Sequence, residues 1–181
     1  MSEPGPTTSA TAVDDPSCAV AHGAAPAPTV TRTLVAVFAS PVARYLLGYG
    51  KDLGFHPILV DPEPGRLADF PLTDIDRVTA VPVLDGSADF VVTDHHRPEL
   101  GHLLRDALAT KARWIGILGN PRHPGPHLAA LRELAVAEPD IARVHRPVGL
   151  NIGSRTPPEI AIATLAGLLA DRNGRPGGFE F

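Results

Sequence analysis

Four short stretches of this chain are apolar almost throughout and no longer than one strand: residues 33–38, 56–60, 90–93 and 113–118. A sheet with one wet face would alternate apolar and polar residues. Strands of this kind belong instead to a sheet covered on both sides, and such sheets are parallel. The segments between them supply the covers. Residues 42–53 read as a helix capped by Ser40, with Pro41 at its first position and Gly54 just past its end. Leu100, Leu103, Leu104, Ala107 and Leu108 form one face of a second helix, and residues 127–136 form a third after Pro126. Thr156-Pro157-Pro158-Glu159 is a capping box that opens a last helix, with Ile162, Leu165, Ala166 and Leu169 on one face. A weaker strand lies near residues 78–81, and the run Asp61-Pro62-Glu63-Pro64-Gly65 breaks the chain sharply. The pattern predicts a Rossmann-like, doubly wound α/β domain over residues 32–172, with a mostly parallel sheet and helices on both faces.

A chain of 181 residues buries enough surface to fold without a disulfide or structural metal. Its single cysteine, Cys18, excludes a disulfide framework and a cysteine-based zinc site within one chain. A formal charge of −4 leaves no basic footprint for nucleic acid. Residues 1–31 hold no Lys or Arg and are rich in Pro, Ala, Ser and Thr, so they lack a secretory signal and read as a disordered tail. Residues 173–181 read as a flexible closing segment. No stretch is long and apolar enough to span a bilayer, and the expected location is the cytoplasm.

In a doubly wound sheet, ligands bind beyond the carboxyl ends of the strands. The candidates after each strand are Ser40, then Asp61, then Thr93, Asp94 and His95 with His96, then Gly119 and Arg122. The first turn carries no glycine, and Pro41 removes one amide that a dinucleotide pyrophosphate would use. Asp61 stands where an acidic residue would hold a ribose hydroxyl, or it is a plain turn former before Pro62. His95, His96, His123 and His127 read as solvated, with one of the first two lining a pocket. Gly149 and Gly153 bracket a turn. Beyond it Ser154, Arg155 and Thr156 stand before the last helix, where free amides and a guanidinium suit a phosphate or similar oxyanion. An internal ion pair of Arg155 is the alternative.

The stretch Pro147-Val148-Gly149-Leu150-Asn151-Ile152-Gly153-Ser154-Arg155-Thr156-Pro157-Pro158-Glu159-Ile160 resembles the C-terminal signature of the XdhC/CoxI family. The likeness extends back through Trp114-Ile115-Gly116-Ile117-Leu118-Gly119-Asn120-Pro121-Arg122 and through Arg143 to Pro147, and covers about residues 33–172. It departs from the family in the first turn, in the order of Asp94 and His95, and in Asn151 where an Asp is usual. The resemblance implies an accessory protein that binds molybdenum cofactor (molybdopterin) and assists its insertion into a xanthine dehydrogenase-type or carbon monoxide dehydrogenase-type enzyme. The implied partners are that apo molybdenum hydroxylase, a cysteine desulfurase or a separate N-terminal-domain protein, and further copies of the chain. On the same grounds Gly116, Gly119, Arg122, Gly149, Gly153, Arg155 and Thr156 bind the ligand or shape its loop. Two other readings stay open: a small NAD(P)- or nucleotide-binding dehydrogenase using His95 or His96 as acid–base, and an interaction module without a ligand.

Overall fold

A computed structural model describes residues 16–26, 32–120 and 122–178. The chain divides into two units at residue 30. In the first, helix α1 (Pro16–Ala21) has no buried residue; residues 1–15 and 27–31 of the expected tail, and the last three residues of the closing segment, lie outside the described residues.

The second unit alternates strands and helices: β1 (Arg32–Val37), α2 (Pro41–Asp52), β2 (Phe55–Val60), α3 (Pro64–Ala68), β3 (Asp76–Val78), β4 (Ala88–Val92), α4 (Leu100–Leu108), β5 (Trp114–Ile117), α5 (Pro126–Glu133), α6 (Glu138–Ile141), β6 (Val144–His145) and α7 (Pro157–Arg172). The six strands form one sheet in the order β3-β2-β1-β4-β5-β6, and every pairing is parallel. The architecture is that of a Rossmann fold, whose strand order reverses between β1 and β4.

Apolar runs become two cores because alternate residues of a strand face opposite sides. Val35, Val37, Phe90, Val92, Ile115 and Ile117 meet Leu103, Leu104 and Leu131 on the α4–α5 side. Leu34, Ala36, Leu59 and Val91 meet Leu46, Leu47, Leu165 and Leu168 on the side covered by α2 and α7. Ser40 caps α2 by accepting the Ala43 amide at 3.0 Å, and Gly54 takes the left-handed conformation (φ +81°) that ends it.

Four details differ from the sequence expectations. β3 pairs residues 76–78 with Ile58–Val60, slightly before the stretch expected, because the register with β2 selects it and leaves Val81 packed beside the core. The break after Asp61 contains the short helix α3, which Pro64 opens. α5 stops at Glu133 because Ala135 turns left-handed at φ +56°. In α7 the buried residues are Ala161, Ala163, Thr164, Leu165 and Leu168, whereas Ile162 is exposed. This helix is apolar nearly all round, so its sequence does not single out one face. No helix among the described residues is long and apolar enough to cross a membrane.

Candidate functional site

The residues expected to form one site occupy four places. Ser40, Asp61 and Thr93 meet at the carboxyl ends of β1, β2 and β4. The Ser40 Oγ lies 2.8 Å from the Thr93 Oγ1, which also donates to the carbonyls of Val37 and Phe38. Asp61 is fully buried; its Oδ2 accepts the Ala39 amide at 2.9 Å and its Oδ1 the Glu63 amide at 3.0 Å. Arg97 stands 3.7 Å from the same carboxylate and lies over the ring of Phe38. Phe38 takes a left-handed conformation (φ +71°) in the turn where a dinucleotide-binding loop would place glycine. Both Asp61 oxygens therefore serve the fold. The turn expected of Asp61 is formed through the Glu63 amide, and the bond to Ala39 ties it to the first loop.

Asp94, His95 and His96 follow Thr93. Asp94 accepts the His96 amide in an Asx turn, and the two imidazoles lie 4.1 Å apart. Burial, with the charges of His96 and Arg146 added, holds the half-buried His95 below the ordinary imidazole value.

Gly119 and Arg122 flank the turn after β5. A Cβ at Gly119 would lie 2.8 Å from the Nε of Arg146, whose two terminal nitrogens donate to the carbonyls of His123 and Asn120 at 2.8 Å. Gly119 thus makes room for the arginine that ties down this loop. Arg122 is exposed, and its amide donates to the Asn120 Oδ1 at 2.9 Å. His127, expected to be solvated, is 4 % exposed; burial and the Arg146 charge hold it below the ordinary value. Packing of α5 against α4 draws its ring inward, which no local signal announces.

The fourth place is the loop before α7. A Cβ at Gly149 (φ +87°) would lie 2.7 Å from the α7 backbone at Ala163, and the neighbouring Leu150 amide donates to the Ala163 carbonyl. Gly153 (φ +70°) has open space around it, and Ser154 is half-buried beside it. The sequence suggested free amides at Arg155 and Thr156, but both donate to the Glu159 carboxylate, at 2.8 and 3.1 Å. Pro157 and Pro158 have no N–H to offer, so this helix start is satisfied internally. Those two amide bonds hold the Glu159 carboxyl below the usual carboxylate range. The Arg155 guanidinium is exposed and makes no ion pair among the described residues.

A cleft of about 590 Å³ lies beside the β1–α2 turn, and most of its lining was not expected from sequence to form a site. Pro41, Phe70, Pro71, Pro157 and Pro158 give it apolar walls, with Ser40 and Tyr45 among the polar groups. Arg44, Arg66 and Asp69 bring charge. Arg44 lies over the Tyr45 ring at 5.2 Å and has no carboxylate partner among the described residues, whereas Arg66 is bound to Glu63 at 2.6 Å. Helices α2 and α7 pack against each other, which brings the two proline-led helix starts to one cleft. Of the residues expected at a site, Ser40 lines it with its neighbours Ala39 and Pro41.

This geometry defines a Rossmann-fold domain with a cleft beside the first turn. The sequence matches the family described as the XdhC Rossmann domain over residues 34–168, and the chain belongs to that family. It is 44% identical over 103 residues to the uncharacterized protein YqeB of Escherichia coli K12, a match covering 55% of this chain and 18% of YqeB. Among solved structures, it resembles a Bacillus halodurans protein described as a xanthine dehydrogenase, with a TM-score of 0.66 and 23% identity. That likeness covers 80% of this chain and 45% of the other, and it speaks to the fold alone. The chain thus spans well under two thirds of either protein.

Proposed function

We propose that this chain is an accessory protein that binds molybdenum cofactor and assists its insertion into a molybdenum hydroxylase of the xanthine dehydrogenase or carbon monoxide dehydrogenase type. Membership of the XdhC family motivates the reading. The observation that carries it is the apolar-walled cleft with Arg44 at its edge, beside the first turn of the fold. The cofactor is the cargo. Its organic part is a pterin with a phosphate, and its dithiolene supplies sulfur ligands to the molybdenum, so the protein's task is to hold the pterin end. The cleft fits that end: Phe70 and the four prolines offer ring-sized apolar surface, Asp69 an acceptor for ring N–H groups, and Arg44 a partner for phosphate. The client is the apo-hydroxylase, with a cysteine desulfurase or a separate N-terminal-domain protein as a second partner and further copies of the chain as a third.

Thermal unfolding tests this reading. A ligand at about a hundred times its dissociation constant adds roughly 2.7 kcal/mol and moves the midpoint by several degrees. Molybdenum-bearing molybdopterin is expected to produce that shift, and NAD or NADP to produce none. A shift with NAD alone would replace the accessory reading with the dehydrogenase one.

A further inference from the structure

We infer that a separate cavity, between α7 and the loop that precedes it, binds a small monocarboxylate with an apolar tail; it shares no residue with the cleft described above. From Ile160 to Ala170 the helix contains a single polar residue, Thr164. Inside a helix a threonine ordinarily turns its hydroxyl back to the carbonyl four residues earlier, or out to water. Thr164 does neither. It is fully buried, and its Oγ1 has no hydrogen-bond partner among the described residues. A hydroxyl buried in this state costs stability, and this one belongs to the lining of a cavity of about 250 Å³.

Close backbone approach builds the walls. A Cβ on Gly167 would lie 2.8 Å from the Gly149 Cα, so the loop carrying Val148 and Leu150 is brought onto α7. Gly116 yields its Cβ position to the ring of Trp114, which stacks on His145 with centroids 4.8 Å apart. After α7 the chain turns at Gly174 (φ +62°), and the Arg175 amide donates to the Ala170 carbonyl at 2.8 Å, which sets Arg175 at the rim. The polar groups decide the ligand. The Thr164 hydroxyl, the Trp114 indole N–H and the Arg175 guanidinium all line the cavity and have no hydrogen-bond partner among the described residues. The carboxylate of the lining, Asp171, is paired with Arg113. Donors in excess, one of them cationic, call for an acceptor-rich anion. Trp114, Val148, Leu150 and Leu168 call for hydrocarbon, which inorganic phosphate or sulfate lacks. The volume restricts that hydrocarbon to a short chain.

Trp114 is the only tryptophan of the chain, so its fluorescence reports on this cavity directly. The whole chain is titrated at constant ionic strength with butyrate and isovalerate, with their neutral amides, and with inorganic phosphate. At least one carboxylate is expected to change the emission saturably and to bind about tenfold tighter than its amide and than phosphate. Arg175→Gln, on an exposed side chain, is expected to remove the gap between carboxylate and amide. Thr164→Val is expected to weaken the carboxylate about tenfold, while the urea midpoint of the free protein stays level or rises because the orphaned hydroxyl is gone. The inference is overturned if neither carboxylate binds, if an amide or phosphate binds as tightly, or if Arg175→Gln leaves the gap intact. A lowered urea midpoint in Thr164→Val also overturns it, since the hydroxyl would then serve the fold and not a ligand.

Discussion

On the β2 side of the switch point Arg44 stands in a cleft with no carboxylate partner among the described residues, whereas on the β5 side Arg146 gives both terminal nitrogens to loop carbonyls. The two sides share a chemistry of arginine, glycine and proline. On one side it is turned outward toward a ligand-sized space. On the other it is turned inward, with Gly119 yielding its Cβ position to the arginine and His127 buried beside it. The lesson is that an arginine near strand ends says little about function until its hydrogen bonds are traced. Arg146 is the more elaborately bonded of the two and the less available.

The comparison breaks most severely if the sealed turn is opened. Asp61→Ala leaves two amides without their acceptor and Arg97 without its buried counter-charge, at a cost of about 3–5 kcal/mol. Urea unfolding measures it; a loss below about 1 kcal/mol would mean that the carboxylate does not seal the turn. A smaller contrast separates the two glycines of the family motif. Gly149→Ala drives a methyl into the α7 backbone from a left-handed conformation and should cost about 3 kcal/mol. Gly153→Ala meets open space and should cost only about 1 kcal/mol. Equal losses from the two would contradict the close approach at Ala163.

The smallest effect concerns pH. The folded values of His127 and His95 are lowered, so the unfolded chain binds more protons as pH falls through the ordinary imidazole value of 6.5. Their contribution to stability is fully present above that value and is lost as pH falls toward the folded values. His127→Gln should therefore narrow the difference in urea midpoint between about pH 7.5 and about pH 5.5. An undiminished difference would remove His127 from the account.

Much of the frame was legible in the chain. Strands apolar on both faces announced a covered parallel sheet, Ser40-Pro41 announced the start of α2, and Thr156 with Glu159 the start of α7. β6 escaped because two residues carry no periodicity, and α6 because four residues make barely one turn. The site was less legible. Glu159 looked like a capping residue, which it is, but its capture of the Arg155 and Thr156 amides follows from the same role and removes the free donors expected there. Arg44, Asp69 and Phe70 gave no signal, because their convergence depends on how α7 packs against α2 and on where the chain after α3 lies, and packing of that kind has no local spelling.

The pairing of α2 with α7 also bears on how the protein is made. Chains leave the ribosome from the amino end, and domains fold as their parts become available. The sheet face covered by α4 and α5 has all its partners before α7 is synthesised, but Leu34, Ala36 and Val91 on the other face wait for Leu165 and Leu168. A nascent chain therefore carries one finished side and one side covered by α2 alone until α7 emerges, and it is at that interval that a holdase would find it. Pro157 and Pro158 arrive with the same helix, so the cleft wall and the missing core are completed in one event.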